Sequence, residues 1–600
     1  MAQTLTEALL SAAPLTHKGY TFLDGKLEER PWTFQGLAAE AERRARHFQR
    51  LGLCRGDRVA MVIPDGEDFV LTFFGVIRAG GVPVPMYPPL ALNRIDAYVA
   101  SAQRILQTAG ARLLVTNQTI GGLIWSLVGS VDSLEDVVQV ERLRKLDEQA
   151  LPPFEDPQLR PEDVCFLQFT SGSTSAPKGV QVTHASLMAN AHAIMKDGIS
   201  ADAEVDHGVS WLPLYHDMGL IGFVVSPLVA QIRVTFIPTE LFVKRPNVWM
   251  KTVDEVRGTI SFAPNFAFGL AAKRASRMKV DALDLSCLRV VGCGAEPINP
   301  RTLEAFIDTF APAQLNPAAV MPAYGMAEAT LAITFDGLEE RFRALRIDRA
   351  RYERESVAVP ASEDARPDEY LELVDCGLPF PGHEVGVMDD DDRLLEEGQV
   401  GEIVLKGPSN AAGYHDNPDA SADLFRSGWL HTGDLGFKKD GCLFISGRKK
   451  DLIILNGRNY YPQSIEWELE NVEGIRKGNV VAFGVTGERS EELVVVAETR
   501  SEDRVSLAQA VRQHLTDALS LRPRDIVLLG PGSLPKTSSG KLQRRRAKTL
   551  YESSELGQEG NRTIGSAASR WSLAKHVASS AATRLVRSVK PGRRSNTPRS

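Results

Sequence analysis

The 600-residue chain is poor in cysteine. Its six cysteines, Cys54, Cys165, Cys287, Cys293, Cys376 and Cys442, form no CxxC pair and no cluster with histidine. That spacing argues against a zinc site, and a disulfide framework would be out of place in a chain this long. No run of 18 apolar residues occurs, because Pro, Gly or a charge interrupts every candidate, so no membrane-spanning helix is expected. The first residues, MAQTLTEALLSAAPLTHKGY, lack a basic start and a sustained apolar stretch, so no secretory leader is expected. GxSxG is absent, as is the GxxxxGK[ST] order of a Walker A loop. No repeat of 20–50 residues is evident. These absences leave the expectation of a reduced, cytoplasmic, globular protein.

What is present is unevenly charged. The net charge is −7, yet residues 561–600 hold nine Lys and Arg and no acid, leaving about −16 over residues 1–560. An acidic body gives no footing for nucleic acid. The basic tail is rich in Ser, Ala and Gly and is expected to be largely disordered. Within it, SRWSLAKHVASSAATRLVRSV (569–589) has some helical amphipathicity that suits weak contact with an anionic membrane or a partner. A loosely solvated tail is the simpler expectation.

Length implies several domains. Short apolar runs at 57–64, 111–116, 165–170, 233–238 and 288–294 read as strands, and 68–80 as a helix ending at Gly80-Gly81. Strands separated by helices predict an α/β fold with parallel sheets. From about residue 372, Gly-Pro turns and short strands predict a small β-rich unit. Its DDDD run (389–392) reads as a solvated hairpin turn, with no second ligand group near enough in sequence to suggest a metal. A further unit of strand–helix pattern begins near 447.

Several segments carry chemistry. FTSGSTSAPKGVQVTH (169–184) follows a strand and is crowded with small residues and one lysine; such a loop lets backbone N–H groups, hydroxyls and Lys178 converge on phosphates. In WLPLYHDMGLIG (211–222), His216 stands between an aromatic and an acid, before an apolar run, as at the mouth of an apolar acid-binding channel. GCGAEPI (292–298) turns sharply after a strand and suits backbone contacts to a base. AYGMAEAT (323–330) offers Tyr324 for stacking and Glu328 as an oxygen ligand for Mg²⁺. WLHTGDLG (429–436) puts Asp434 in a tight turn, where it can accept both ribose hydroxyls, and Arg448 follows. LPKTSSGKLQRRR (534–546) is a Gly-containing loop whose Lys541 can stabilise charge developing on an acid and an α-phosphate.

These segments, in this order, resemble the motif set of the adenylate-forming superfamily of acyl-CoA synthetases, luciferases and peptide-synthetase adenylation domains, over residues 20–550. The resemblance implies that 1–446 is a large N-terminal domain of two doubly wound α/β subdomains plus a small β-barrel. It further implies a hinge at 447–451 and a mobile α+β C-terminal lid at 452–550, leaving 551–600 as the tail. It implies that ATP and Mg²⁺ are used. Thr170, Ser171, Gly172, Ser173, Thr174 and Lys178 would grip phosphates. Gly294, Ala295, Glu296, Pro297, Tyr324, Gly325 and Met326 would hold adenine, and Asp434 and Arg448 the ribose. Glu328 would bind the metal, with His216 and Lys541 at the reacting groups.

Within that superfamily the chain looks most like the fatty acyl-AMP ligases. LPLYHDMGLIG is one reason. A second is Ala327, where coenzyme A ligases usually carry Thr; Thr330 or backbone would have to replace the lost phosphate contact. The third is a long charged stretch between Thr330 and Gly377, an insertion at about 336–370. In that family the insertion is thought to hinder the lid motion needed for coenzyme A. The expected reaction is fatty acid activation to acyl-AMP, with transfer to an acyl carrier protein or polyketide-synthase carrier domain in lipid or polyketide biosynthesis. The alternatives are a long-chain acyl-CoA synthetase, a free-standing amino-acid adenylation domain, for which the apolar run at 211–222 offers no amine partner, and a non-catalytic scaffold, against which Lys541 and Glu328 speak.

Overall fold

A computed structural model describes residues 2–89, 95–170, 177–338, 340–455, 458–487, 491–537 and 540–557, together with 576, 578, 580 and 581. The expected α/β architecture is present. Strands Arg58–Val62, Val82–Pro85, Leu113–Thr116 and Asp136–Gln139 form a parallel four-stranded sheet. A nine-stranded sheet has a parallel centre of Gly19–Leu23, Arg233–Phe236, His207–Ser210, Ile260–Pro264, Val290–Gly294 and Val320–Gly325. Antiparallel strands close both of its edges. Gly325 is required where its strand turns, since a Cβ there would meet Leu331 O at 1.9 Å.

One predicted strand behaves differently. Val164–Thr170 pairs antiparallel with Lys178–Thr183 as a hairpin, not as part of a parallel sheet. A parallel crossover needs a dozen or more residues, and the connection between Thr170 and Lys178 is too short for one.

The polypeptide after residue 380 forms a five-stranded antiparallel sheet that includes Glu384–Met388, Gly401–Lys406, Trp429–Lys439 and Cys442–Arg448. The acidic run is a solvated hairpin turn, with Asp389 N–H donating to Arg393 O and Asp390 89% exposed. Asp390 pairs with Lys449 at 2.8 Å, and Lys449 also reaches Glu402 at 3.2 Å. The inserted segment is folded: Ala344–Asp348 and Tyr370–Val374 pair antiparallel around helix Arg349–Glu355. Residues 475–529 supply a three-stranded sheet packed by helices Pro462–Leu469 and Arg504–Leu519. In the tail, the described residues pack onto the protein instead of lying loose: His576 pairs with Asp96 at 2.7 Å, and buried Ser580 accepts from Ser126 N–H. The rest of the tail lies outside the described residues. No helix among the described residues is long and apolar enough to cross a membrane.

Helices Phe34–Arg50 and Gly66–Arg78 are joined by a buried ionic node. Asp68, 2% exposed, accepts from Arg144 Nε at 3.0 Å and sits 3.6 Å from fully buried Arg44. Arg44 is held in turn by Glu40 and Thr72. Removing one member of a buried pair strands its partner's charge. Because Arg44 keeps Glu40 and Thr72, Asp68→Ala should cost about 1.5–3 kcal/mol, read by chemical denaturation, and an unchanged midpoint would contradict this account.

The N-terminal helix Leu5–Ala12 is docked by a bond that needs a neutral imidazole: Leu5 N–H donates to His184 Nδ1 at 3.1 Å. Burial holds the His184 pKa down at about 4. An unfolded histidine titrates near ~6.5, so the unfolded state binds more protons between these values. The contribution is fully present above about pH 6.5 and is lost as pH falls toward 4. Limited proteolysis should release the N-terminal helix faster at pH 4.5 than at pH 7; equal rates would refute the link.

Candidate functional site

The hairpin bearing the small-residue loop fixes one wall of the site. Thr170 and Lys178 face each other in its ladder. Ser171, Gly172, Ser173 and Thr174 lie outside the described residues. Segment 411–415 runs beside the hairpin: Gln181 N–H donates to Gly413 O, and His415 N–H to Gly179 O. This seats Tyr414 under Lys178, whose Nζ lies 4.7 Å from the ring centroid. Tyr414 OH donates to Glu328 Oε1 at 2.7 Å, and Ala411 N–H to Glu328 O. Lys178 and Glu328 are thus brought together by a residue that motif reading passed over. Its only sequence signal is an aromatic after glycine in AAGYHDN. Tyr414→Phe removes one hydrogen bond to a carboxylate, worth about 1.5–3 kcal/mol. Chemical denaturation of the variant should show a loss of that order, and an unchanged midpoint would mean that the bond contributes nothing.

The hydroxyl of Thr330 does not make up for Ala327. Its Oγ1, fully buried, donates to Ser409 O at 2.6 Å and braces the Ser409 loop. The backbone in this turn is strained, with Thr330 at φ 69°.

Strand Val290–Gly294 delivers the next contact. A Cβ on Gly294 would meet Ala323 O at 2.9 Å, so glycine allows the neighbouring strand to approach closely. Ala295 turns the chain at φ 68°. Glu296 Oε1 accepts Phe266 N–H at 2.7 Å, capping helix Asn265–Ala275. Burial raises the Glu296 pKa, against Lys541, Lys536 and Arg544. Its side chain therefore serves that helix, while Gly294, Ala295 and Pro297 present backbone.

Tyr324, Gly325 and Met326 end the adjacent strand. Tyr324 OH donates to Asp434 Oδ2 at 2.6 Å, a bond that a stacking role alone does not predict. Arg448 Nε contacts Asp434 Oδ1 at 2.7 Å. Asp434 N–H donates to Thr432 Oγ1. Burial pushes the Asp434 pKa up, with Arg448 and Tyr324 opposing it. Strands Trp429–Lys439 and Cys442–Arg448 are paired so that Asp434 faces Arg448 directly.

His216 caps the short helix Asp217–Leu220, half-buried beside Tyr215. Burial lowers its pKa to about 4, Asp217 opposes the shift and Lys541 adds to it, so the imidazole is neutral at pH 7. Lys541 is carried by a turn in which Thr537 N–H donates to Lys541 O and Lys541 N–H donates to Thr537 Oγ1. That turn leans on Phe266: a Cβ on Gly540 would lie 3.8 Å from its ring. The charge of Lys541 is felt by both His216 and Glu296, although the three are far apart in sequence.

Glu296, with Tyr215 and Gly540 next to the other two in the chain, lines a cleft of about 2540 Å³, walled also by Trp211, Leu214, Phe236 and Phe266 and by Glu466, Lys536 and Arg544. Apolar walls beside a few convergent polar groups are the usual form of a small-molecule site. Among the described residues no three or more His, Cys, Asp or Glu side chains are grouped to hold a metal. A metal at Glu328 would take most of its ligands from phosphate and water, and one carboxylate with oxygen donors fits Mg²⁺.

The sequence profile of the AMP-binding enzymes matches residues 11–415. The chain belongs to the AMP-binding enzyme family. Among relatives of this AMP-binding enzyme, a putative acyl-CoA synthetase of Caulobacter vibrioides is 40% identical over 560 residues, spanning 92% of this chain and 96% of the relative. A medium-chain-fatty-acid–[acyl-carrier-protein] ligase, JamA, of Moorena producens is 32% identical over 90% of this chain and 93% of its own. A solved structure from a study of fatty acyl-adenylate ligases of E. coli and L. pneumophila superposes with a TM-score of 0.86 at 35% identity, covering 92% of this chain and 98% of that one.

Proposed function

We propose that this AMP-binding enzyme is a fatty acyl-AMP ligase that delivers its acyl group to the phosphopantetheine thiol of an acyl carrier protein, in the cytoplasm. The observation that carries the reading is the apolar cleft walled by Trp211, Leu214 and Phe236, with Tyr215 and Gly540, the chain neighbours of His216 and Lys541, in its lining. A carboxylate oxygen of the acid attacks the α-phosphorus of ATP; an O–P bond forms, the bond to the β-phosphate oxygen breaks, and pyrophosphate leaves with the electron pair. Lys541 offsets the repulsion between the two anions. Neutral His216 adds no second positive charge and can orient the acid by hydrogen bonding. Asp434 and Arg448 hold the ribose, the turn at 294–297 faces adenine, and Lys178 with the 170–174 loop takes the phosphates. Mg²⁺, held through Glu328, would neutralise phosphate charge. In the second step the thiol gives its proton to water and its sulfur attacks the acyl carbon; the C–S bond forms, the acyl C–O bond to the phosphate breaks, and AMP leaves with that electron pair.

We assign residues 1–446 to the body, 447–451 to a hinge and 452–550 to a lid. The inserted segment favours a carrier protein over coenzyme A as acceptor. Tyr352, 0% exposed, donates to Ser446 Oγ at 2.6 Å, just before the hinge. Its ring lies 5.4 Å from Tyr461, just after the hinge, and 6.1 Å from Phe437. The insertion therefore grips both sides of the hinge, and rotation of the lid must break that packing. The fatty character of the acid is supported by the apolar wall at Trp211–Leu214 and by the named relatives.

Incubation with ATP, Mg²⁺ and acids of graded length tests the reading, first by pyrophosphate release and then with coenzyme A or a holo acyl carrier protein as acceptor. Acyl-AMP formed from fatty acids and passed to the carrier, with little acyl-CoA, is expected. Efficient acyl-CoA release would replace this reading with an acyl-CoA synthetase, and no pyrophosphate release with any acid would leave a scaffold.

A further inference from the structure

A half-buried histidine on the β-rich unit, His383, lies away from the cleft, yet it ends a run of hydrogen bonds that begins at Glu328. His383 Nδ1 faces Pro381 O at 3.3 Å, a group that can only accept, so Nδ1 carries the proton of the neutral ring. That leaves the Nε2 lone pair for Ser409 Oγ, 2.6 Å away. Burial holds the His383 pKa below the ordinary histidine value, with the carbonyls of Pro381 and Phe380 and the charge of Asp197 opposing, so the ring is neutral at pH 7 and able to accept. The ring is also wedged in place: a Cβ on Gly407 would collide with it, and Phe380 meets it edge-on at 6.1 Å.

Three parts of the body converge on Ser409, which is 1% exposed. Its hydroxyl oxygen accepts from Asn190 Nδ2 at 3.0 Å, and its carbonyl accepts from Thr330 Oγ1 at 2.6 Å. Asn190, fully buried on helix His184–His192, is fixed in turn by Ala332, donating to its carbonyl and accepting from its N–H. Among the described residues, His383 Nε2 is thus the acceptor for the Ser409 hydroxyl proton. Just beyond, Ala411 N–H donates to Glu328 O, Ala412 N–H to Gln181 O, and Tyr414 OH to Glu328 Oε1. Residues 409–414 form a strap, bonded to His383 at one end and to Glu328 at the other.

We infer that His383 is a positioning residue for the metal-binding carboxylate: by accepting from Ser409 it seats the strap that orients Glu328. The inference rests on the reading that Glu328 binds Mg²⁺ and adds what holds that carboxylate in place. Groups that orient a ligating carboxylate without touching the metal change metal affinity or activity by about 10–100-fold. His383 acts at one remove further, which sets the expected effect at the low end of that range.

The test compares His383→Phe, which keeps a planar ring in the wedge but no acceptor, with His383→Gln, which returns an acceptor near the position of Nε2. In ligand-free protein, the amide hydrogens of residues 410–414 should exchange about tenfold faster in His383→Phe, because the stranded Ser409 hydroxyl favours local opening. The Mg²⁺ concentration for half-maximal pyrophosphate release should rise about tenfold, while KM for the fatty acid stays within about twofold. His383→Gln should recover most of both effects. Ser409→Ala reads the same bond from its other end, so it should match His383→Phe even if that variant folds poorly. Adding His383→Phe to Ser409→Ala should change little further. Additive losses in the double variant, a Gln variant as damaged as the Phe variant, or a parallel rise in KM for the fatty acid would make His383 a packing residue and overturn the inference. Glu328→Gln is the control on the underlying reading. If it leaves the Mg²⁺ requirement unmoved, the metal reading fails and the inference with it. If it shifts that requirement and His383→Phe shifts neither readout, His383 alone is refuted.

Discussion

Lys541→Ala should lower acyl-AMP formation by about 10²–10³-fold while ATP still binds within a few-fold of wild type. The described bonds of Lys541 to Thr537 are made by its backbone and not its side chain, so Lys541→Ala should leave the turn intact. On the proposed mechanism such a loss would report charge removed from the reacting atoms and not collapse. A second readout comes from His216. Lys541 helps to depress its pKa, so the variant's His216 should titrate higher than about 4, yet still below an ordinary histidine, because burial is the larger cause. Histidine NMR would show this. Unchanged pyrophosphate exchange in the variant, or an unmoved His216 titration, would detach Lys541 from the site.

Asp434→Ala should raise KM for ATP about a hundredfold with a smaller effect on kcat. Hydrogen bonds to a charged group are worth about 1.5–3 kcal/mol each, and tenfold in affinity is about 1.4 kcal/mol. The substitution also strands Tyr324 OH and Arg448, both of which are now satisfied by Asp434. Asp434→Asn should recover part of the affinity, since it keeps the shape and one acceptor. Steady-state kinetics at varied ATP, with the acid saturating, decides the matter. A KM close to wild type would show that ribose is held elsewhere.

The segments proposed for the site were legible as short runs of particular residue types. A phosphate loop needs small residues and a cation, and a close backbone approach needs Gly294. What sequence could not supply is how distant runs meet. Tyr414 links Lys178 to Glu328 from a turn with no motif of its own. Thr330 looked free to contact phosphate, yet its hydroxyl is used by Ser409, a partner about 80 residues away. The strand at Val164–Thr170 was readable, but its pairing direction depended on the length of the following loop. The inserted segment looked irregular because its apolar residues, among them Ile347 and Tyr352, share one cluster with Phe437, Phe444 and Tyr461, which lie far along the chain. Asp434 and Arg448 were assigned to ribose; their mutual pairing follows from strand register, which a single motif does not reveal.

The acidic hairpin has a consequence for how fast the enzyme can cycle. Lys449, in the proposed hinge, is held by Asp390 and Glu402, and it is 40% exposed. A half-solvated ion pair is screened by salt, with a Debye length of about 10 Å at 0.1 M and about 3 Å at 1 M. The tether on the hinge is thus tuned by ionic strength, whereas the buried contact between Tyr352 and Ser446 is not. Added salt would loosen only one of two clasps. It would quicken domain reorientation without freeing it, so turnover and acceptor choice would respond to the ionic medium to different degrees.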